Sequence, residues 1–482
     1  MPQPRTFGRA GVAASLVSVS LMVALAGIGP SAMSVDPPPP GPARSLGVEV
    51  GRGVATGLLG LALLVGALGV GLAWAALRRG WAPRPGRLVA TGIGSAVALV
   101  LVPPMGSTDI GIYAAYGRMV VLGLNPYLDT VHNLVHRGDP IGLAYSGAWA
   151  GTSSVYGPVA LVVQALAAWL GGGSARLIVW LLQIAACAAF VATALLLDRQ
   201  AAAWGGTAAR CRVALLWTLN PLFLFEMVNA GHVDVFAVLL GVSALLVVRR
   251  SSLGSGALVA LAVGVKVSYG LYVVAIAWAL RRDRNSLLRY LTAGALTGVL
   301  VFTPVWPEFL DPLGKASGFV AKESPWHPLL VALEGHLAAG LLHALLRLGS
   351  ILLLALVVWR AGPALPKATE DDARSRALWT AALLSLAWLL TSTYALPWYD
   401  VIVWAPLVLL PASGLDLVLL VRLAVTAIGY LPGSAEDGGT AGWVMPWLRG
   451  VVTPTVSLAL LAVVLLAGPR LRLRPPAESP TA

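Results

Sequence analysis

Asp109 and Tyr113 stand four residues apart in the run Thr108-Asp109-Ile110-Gly111-Ile112-Tyr113-Ala114-Ala115-Tyr116-Gly117-Arg118. That spacing puts both on one face of a helix. A carboxylate so placed, with Arg118 nearby in sequence, is more than a helix cap needs and is a functional candidate. It can also simply cap its helix by accepting orphan backbone N–H groups. His232 and Asp234 lie two apart in Asn229-Ala230-Gly231-His232-Val233-Asp234; such a pair can bind a sugar, ligate a metal, or cap a helix. Lys266 is grouped with the aromatic run that follows, as a polar residue beside the bilayer and so a functional candidate. Trp398 and Tyr399, in Tyr394-Ala395-Leu396-Pro397-Trp398-Tyr399-Asp400, can face a substrate or form an interfacial aromatic belt. Asn125 and Tyr127, in Leu124-Asn125-Pro126-Tyr127, and Tyr156, in Tyr156-Gly157-Pro158, sit in sequences that turn chemistry alone explains.

These residues must be positioned by apolar elements. Of 482 residues, 58% are hydrophobic and 11% charged, against about 25% charged in a soluble domain. That excludes a cytosolic enzyme, and it makes the net charge of +12 a matter of topology rather than of nucleic-acid binding. Apolar runs suited to spanning occur at 11–29, 53–77, 88–104, 176–197, 213–227, 235–250, 287–305, 339–360, 377–393 and 450–468. The first reads as an uncleaved membrane helix or a signal peptide, and Pro37 to Pro42 as a polyproline linker. Cys187 and Cys211 read as packing residues without a disulfide framework.

Arginine placement sets the orientation. Clusters such as Arg78/Arg79/Arg84/Arg87, Arg199/Arg210/Arg212, Arg249/Arg250, Arg281/Arg282/Arg284/Arg289, Arg374/Arg376 and Arg470/Arg472/Arg474 leave 22 of the 33 basic residues on one side, the cytoplasmic one. Arg250 and Arg281 then share a side, so 255–280 must enter and return as two short helices breaking at Lys266-Val267-Ser268-Tyr269-Gly270. The same logic splits 400–430 around Pro411-Ala412-Ser413-Gly414, although it leaves Arg422 inside a pass. The expected fold is all-α: one polytopic membrane domain over 1–482, with about 14 transmembrane helices and both termini cytoplasmic. Residues 105–175 form a large first outer loop within that domain, carrying an interfacial helix at 157–170. All the polar clusters fall on the outer face. No phosphate-binding loop, dinucleotide fingerprint or nucleophilic serine elbow occurs, so any catalysis takes a substrate arriving through the membrane, and a lipid-linked donor fits.

The segment Asp109 to Tyr127 resembles the first outer loop of the actinobacterial polyprenol-phosphate-mannose-dependent α-(1→6)-mannosyltransferases of MptA/MptB type, within the GT-C superfamily. Ser154-Val155-Tyr156-Gly157-Pro158 resembles that family's loop-closing Tyr-Gly-Pro. Asn220-Pro221 followed by Gly231-His232-Val233-Asp234 resembles its Asn-Pro and Gly-His-Asn-Asp motifs, with Val233 in place of the usual asparagine. Val265-Lys266 and Pro397-Trp398-Tyr399 resemble later motifs, and the likeness runs in order over roughly 88–410.

The resemblance implies an inverting transfer of mannose from polyprenyl-phosphate mannose to a lipid-linked, lipomannan-type glycan, a glycolipid or oligomannoside acceptor, on the outer face of the cell membrane. Asp109 matches the catalytic carboxylate. Lys266 or Arg118 would help the phosphate leave, and His232 and Asp234 would bind sugar. No metal site is assigned, and a divalent cation such as Mg²⁺ stays open. Other functions share these features: a transporter or flippase of lipid-linked sugars, a glycan polymerase or ligase, or an inactive scaffold. The stretch Trp306 to His336 is a candidate acceptor rim or a solvated loop.

Overall fold

A computed structural model describes residues 4–31, 42, 45–145, 149–367, 371–431 and 444–473; most of the polyproline stretch and Arg474 lie outside them. The described residues contain no β-strand, and the chain is an all-α membrane protein. In chain order the helices are α1 (Pro4–Ile28), α2 (Arg52–Arg78), α3 (Pro85–Val100), α4 (Asp109–Val121), α5 (Val131–His136), α6 (Pro140–Ala144) and α7 (Pro158–Gly171). Next come α8 (Ala175–Val213), α9 (Pro221–Phe223), α10 (Asp234–Val247), α11 (Ser252–Val265), α12 (Gly270–Leu280), α13 (Arg284–Phe302), α14 (Leu310–Ala316) and α15 (His327–Leu333). The last are α16 (Ala339–Ala361), α17 (Ala373–Thr391), α18 (Val401–Leu407), α19 (Leu415–Gly429), α20 (Val444–Trp447) and α21 (Thr453–Ala467). Among the described residues six helices are long and apolar enough to cross a membrane, and five apolar helices are shorter.

The runs at 176–197 and 213–227 do not end in an irregular loop. Helix α8 carries helical structure through 198–212 and turns back at Gly206, whose φ is 56°. The bidentate contact of Arg210 with Asp198, at 2.9 and 2.8 Å, requires that turn. On a straight helix twelve residues would separate them by about 18 Å.

The two interrupted runs become hairpins of short helices. Helix α11 ends at Val265, a 3₁₀ turn covers Val267–Tyr269, and α12 returns from Gly270. Gly256 packs on Tyr290 and Gly264 on Val301, so α11 and α13 run parallel, as they must if α12 reverses between them. In the second hairpin α18 leads down from Asp400 and α19 leads back. Asp416, at the tip, takes both terminal nitrogens of Arg212 at 2.6 and 2.8 Å and the indole N–H of Trp74 at 2.8 Å. Arg422 is level with Asp400 and ion-pairs with it. A guanidinium buried this deeply requires such a partner, and it also donates to the Ala395 carbonyl at 3.1 Å.

Helix α7, expected to lie along the interface, is packed on one side and bare on the other. It rests against α4, α8 and α11, while Val162, Leu166, Trp169 and Leu170 are exposed. Helices α13 and α16 likewise present Leu296, Val299, Leu300, Ile351 and Leu352 outward, an apolar surface suited to lipid.

Candidate functional site

The helix ends gather around one cavity of about 470 Å³. Asp109, Tyr113, Tyr156, Lys266, Trp398 and Tyr399 line it, joined by Tyr116, Trp388, Tyr394 and Tyr430. Segments separated by more than 300 residues, from Asp109 to Tyr430, therefore meet at one cavity. From the stretch Trp306 to His336, Pro312, Leu313, Lys315, Ala316, Ser317 and Phe319 reach the wall.

Asp109 is the first helical residue of α4, one position inside the Thr108 cap. Its carboxylate accepts the Tyr113 hydroxyl at 3.5 Å, and its own N–H donates to Ser107 Oγ at 3.1 Å. Burial raises its pKa from 3.8 to about 6, against the lowering effect of the Ser107 hydrogen bond and of Lys266. The Tyr113 hydroxyl also lies 3.4 Å from Tyr156 Oη and 3.4 Å from His232 Nδ1. Two tyrosines and an imidazole thus crowd around one carboxylate.

His232 and Asp234 form the layer behind the wall. The connection from Ala230 to Val233 is tight. Gly231 has φ +67°, and a Cβ there would come within 2.5 Å of Ile110 Cδ1; this is the left-handed region that glycine alone occupies freely. His232 is fully buried, its ring 3.7 Å from that of Trp398 and 14° from parallel. Burial, then Lys266, pushes its pKa well below the usual 6.5, so the ring is neutral. Asp234 Oδ1 accepts Lys266 Nζ at 2.6 Å. The same ammonium sits 3.4 Å from the centre of the Tyr399 ring, a cation–π contact that helps offset its desolvation. Val233 is buried among apolar neighbours.

The remaining expected residues are buttresses. Asn125 Oδ1 accepts the Tyr127 N–H at 3.0 Å, and the Tyr127 hydroxyl donates to the Tyr156 carbonyl at 2.9 Å. They hold Tyr156 from behind and do not line the cavity. Arg118 also stays away from it. Its guanidinium binds Asp139 at 2.9 Å and the Gly172 carbonyl at 3.4 Å, because it lies on the α4 face turned toward α6 and the end of α7. Of the two cations considered for an anionic leaving group, only Lys266 reaches the cavity.

Sequence reading overlooked Glu226. It lies in a π-helical stretch, Leu224–Asn229, is buried, and brings Oε2 to 3.6 Å from His232 Nε2. A lone carboxylate inside the apolar run 213–227 was the available signal. The carboxylates and imidazole here do not converge on one point: among the described residues no three His, Cys, Asp or Glu side chains are disposed to hold a metal ion.

Residues 11–282 match the family described as Alpha-(1->6)-mannopyranosyltransferase, N-terminal domain. Over 185 residues the chain is 27% identical to Alpha-(1->6)-mannopyranosyltransferase A of Corynebacterium glutamicum; the alignment covers 38% of this chain and 36% of that relative. The matched part thus spans about a third of the relative's length. No solved structure matches the chain.

Proposed function

The chain belongs to the α-(1→6)-mannopyranosyltransferase family, and from that membership we propose that it transfers mannose from polyprenyl-phosphate mannose to a lipid-linked glycan. The observation that carries the reading is the presence, in the lining of one cavity, of a carboxylate held at a pKa of about 6 and a buried ammonium. Inverting displacement at an anomeric carbon needs both, on opposite sides of the reacting sugar.

Asp109 is the base. It takes the proton of an acceptor hydroxyl as that oxygen attacks the anomeric carbon, and a base with a pKa near 6 is ionised at neutral pH yet strong enough to accept the proton. The bond from the anomeric carbon to the phosphate oxygen breaks with its electron pair on the phosphate. Lys266, fixed by Asp234 and Tyr399, opposes the charge that develops there. Tyr113 and Tyr156 orient Asp109 and exclude water around it. The cavity opens at the helix ends opposite the arginine clusters that flank α11 and α12, which supports an active site on the outer face and cytoplasmic termini. The acceptor is a glycolipid or oligomannoside, of the lipomannan type, and it enters past the stretch Trp306 to His336. A divalent cation is not needed for the steps assigned to these side chains.

The test is transfer of radiolabelled mannose from the polyprenyl-phosphate donor in washed membranes, comparing the native chain with Asp109→Asn at equal expression. A loss of about 10²–10⁴-fold is expected on removing a general base. Equal transfer by both proteins would remove Asp109 from the reaction.

A further inference from the structure

Two ammonium groups line the cavity, and each already has a carboxylate. Lys266 Nζ is 2.6 Å from Asp234 Oδ1, with side chains 11% and 3% exposed. At the rim, Lys315 Nζ is 2.8 Å from Asp311 Oδ2, both largely in solvent. Among the described residues no arginine lines the cavity; Arg422 is taken by Asp400 and Arg449 by Glu323. Asp109 adds a further carboxylate to the wall. The wall and its direct partners therefore hold more carboxylates than cations.

A surface compensated in this way treats two lipid phosphates differently. A phosphodiester headgroup carries one negative charge, whereas a phosphate monoester carries about −1.5 to −2 at neutral pH. In the reaction proposed above, the donor is the diester and the lipid that leaves is the monoester. One bond exchange thus raises the headgroup charge while everything around it stays fixed. The hydroxyl proton remains on Asp109 until solvent removes it, and with its departure the wall recovers its own negative charge.

We propose that Asp234 compensates Lys266 so that the cavity holds a lipid phosphodiester and rejects the lipid phosphate monoester that replaces it. Asp234 does not line the cavity; it acts through Lys266 and is a positioning and charge-setting residue. Its second oxygen, Oδ2, is buried without a hydrogen-bond partner, so the full charge of the carboxylate is felt by the ammonium and by whatever the ammonium touches. In a buried site such a charge is weakly screened. The other groups around the ammonium are Asp109 on α4, the neutral ring of Tyr399 and the neutral imidazole of His232; none of them restores the positive charge. This inference rests on the donor assigned under the proposed function.

The experiment is titration calorimetry on the purified full chain in detergent at neutral pH. The probes are a short prenyl phosphate and its methyl phosphodiester, ligands with the same tail that differ by one ionisation. The native chain is expected to prefer the diester. Asp234→Asn should raise affinity for the monoester about tenfold while leaving the diester within about threefold, the response of a site whose net charge has changed by one. Asp311→Asn, at an exposed position safe for folding, should move the monoester in the same direction by less. Parallel weakening of both ligands would overturn the proposal and make Asp234 only a clamp for Lys266; unchanged affinities in both variants would overturn it too. If the native chain binds neither probe, the phosphate-linked donor itself fails, an outcome distinct from a parallel loss confined to the variants.

Discussion

The imidazole of His232 lies flat against the indole of Trp398, ring centres 3.7 Å apart and planes 14° from parallel. The contact joins a residue inside the family match to one more than a hundred positions beyond it. Trp398 is itself fixed edge-on by Tyr430, at 4.8 Å. Trp398→Ala removes a buried aromatic and should cost about 3–5 kcal/mol of stability. Trp398→Phe keeps a ring against His232 and should cost less than half of that. Thermal unfolding of the two variants in one detergent separates them, and a Phe variant as unstable as the Ala variant argues against the stack as the reason for the contact.

The reaction should follow the ionisation of Asp109. Burial puts its pKa at about 6, not 3.8, and only the ionised form can take a proton. Transfer should therefore fall as pH drops through about 6 and level off above about 7. The Tyr113 hydroxyl bond lowers that pKa, so Tyr113→Phe should move the midpoint upward. A profile that breaks near 4 in the native chain would mean the base is an ordinary exposed carboxylate.

Arg422 and Asp400 are both buried and pair with each other. Replacing one member leaves the other charged without a partner, at a cost of about 3–5 kcal/mol. Arg422→Met should thus sharply lower thermal stability. The double variant Arg422→Met/Asp400→Leu should recover most of the loss, because two uncharged side chains need no mutual compensation. Non-recovery in the double variant would show that the Arg422 bond to the Ala395 carbonyl carries the effect instead.

Gly231→Ala should be harmful out of proportion to its size. The backbone there has φ +67°, and the added methyl would meet Ile110, next to Asp109. Strain of about 1–3 kcal/mol is expected, together with reduced transfer from displacement of Asp109. Pairing it with Ile110→Val relieves the contact but not the φ. Partial rescue by that second change would assign the shares of clash and backbone strain.

Much of the architecture was legible because charge and apolarity both leave periodic marks. Arg250 and Arg281 could share a side only if the chain broke between them, and the break falls at Lys266–Gly270 as that parity demands. Gly206 was not legible as a reversal, since the runs on either side looked like two passes with a loop. Its role shows only through the Asp198–Arg210 contact. Within the site, motif residues were visible by type, but their depth was not. His232 and Asp234 stand behind the wall, Asn125 and Tyr127 brace Tyr156, and Arg118 faces Asp139. One-dimensional spacing fixes which residues share a helix face, and not which neighbour that face meets. Glu226 was hidden by the apolar residues on both sides of it.

The hairpin carrying Lys266 has a consequence for biosynthesis. The ammonium acquires its first counterpart, Asp234, from chain made 32 residues earlier, whereas Tyr399, on which it rests, emerges from the ribosome 133 residues later. A nascent chain that has just delivered α12 to the bilayer thus holds Asp109, His232 and Lys266 without Trp398 and Tyr399 over them. Helix α12 gains its neighbour α17 only near the end of synthesis. The cavity is therefore closed by the last third of the protein, and a chain released early carries the family's motifs but not the finished enclosure.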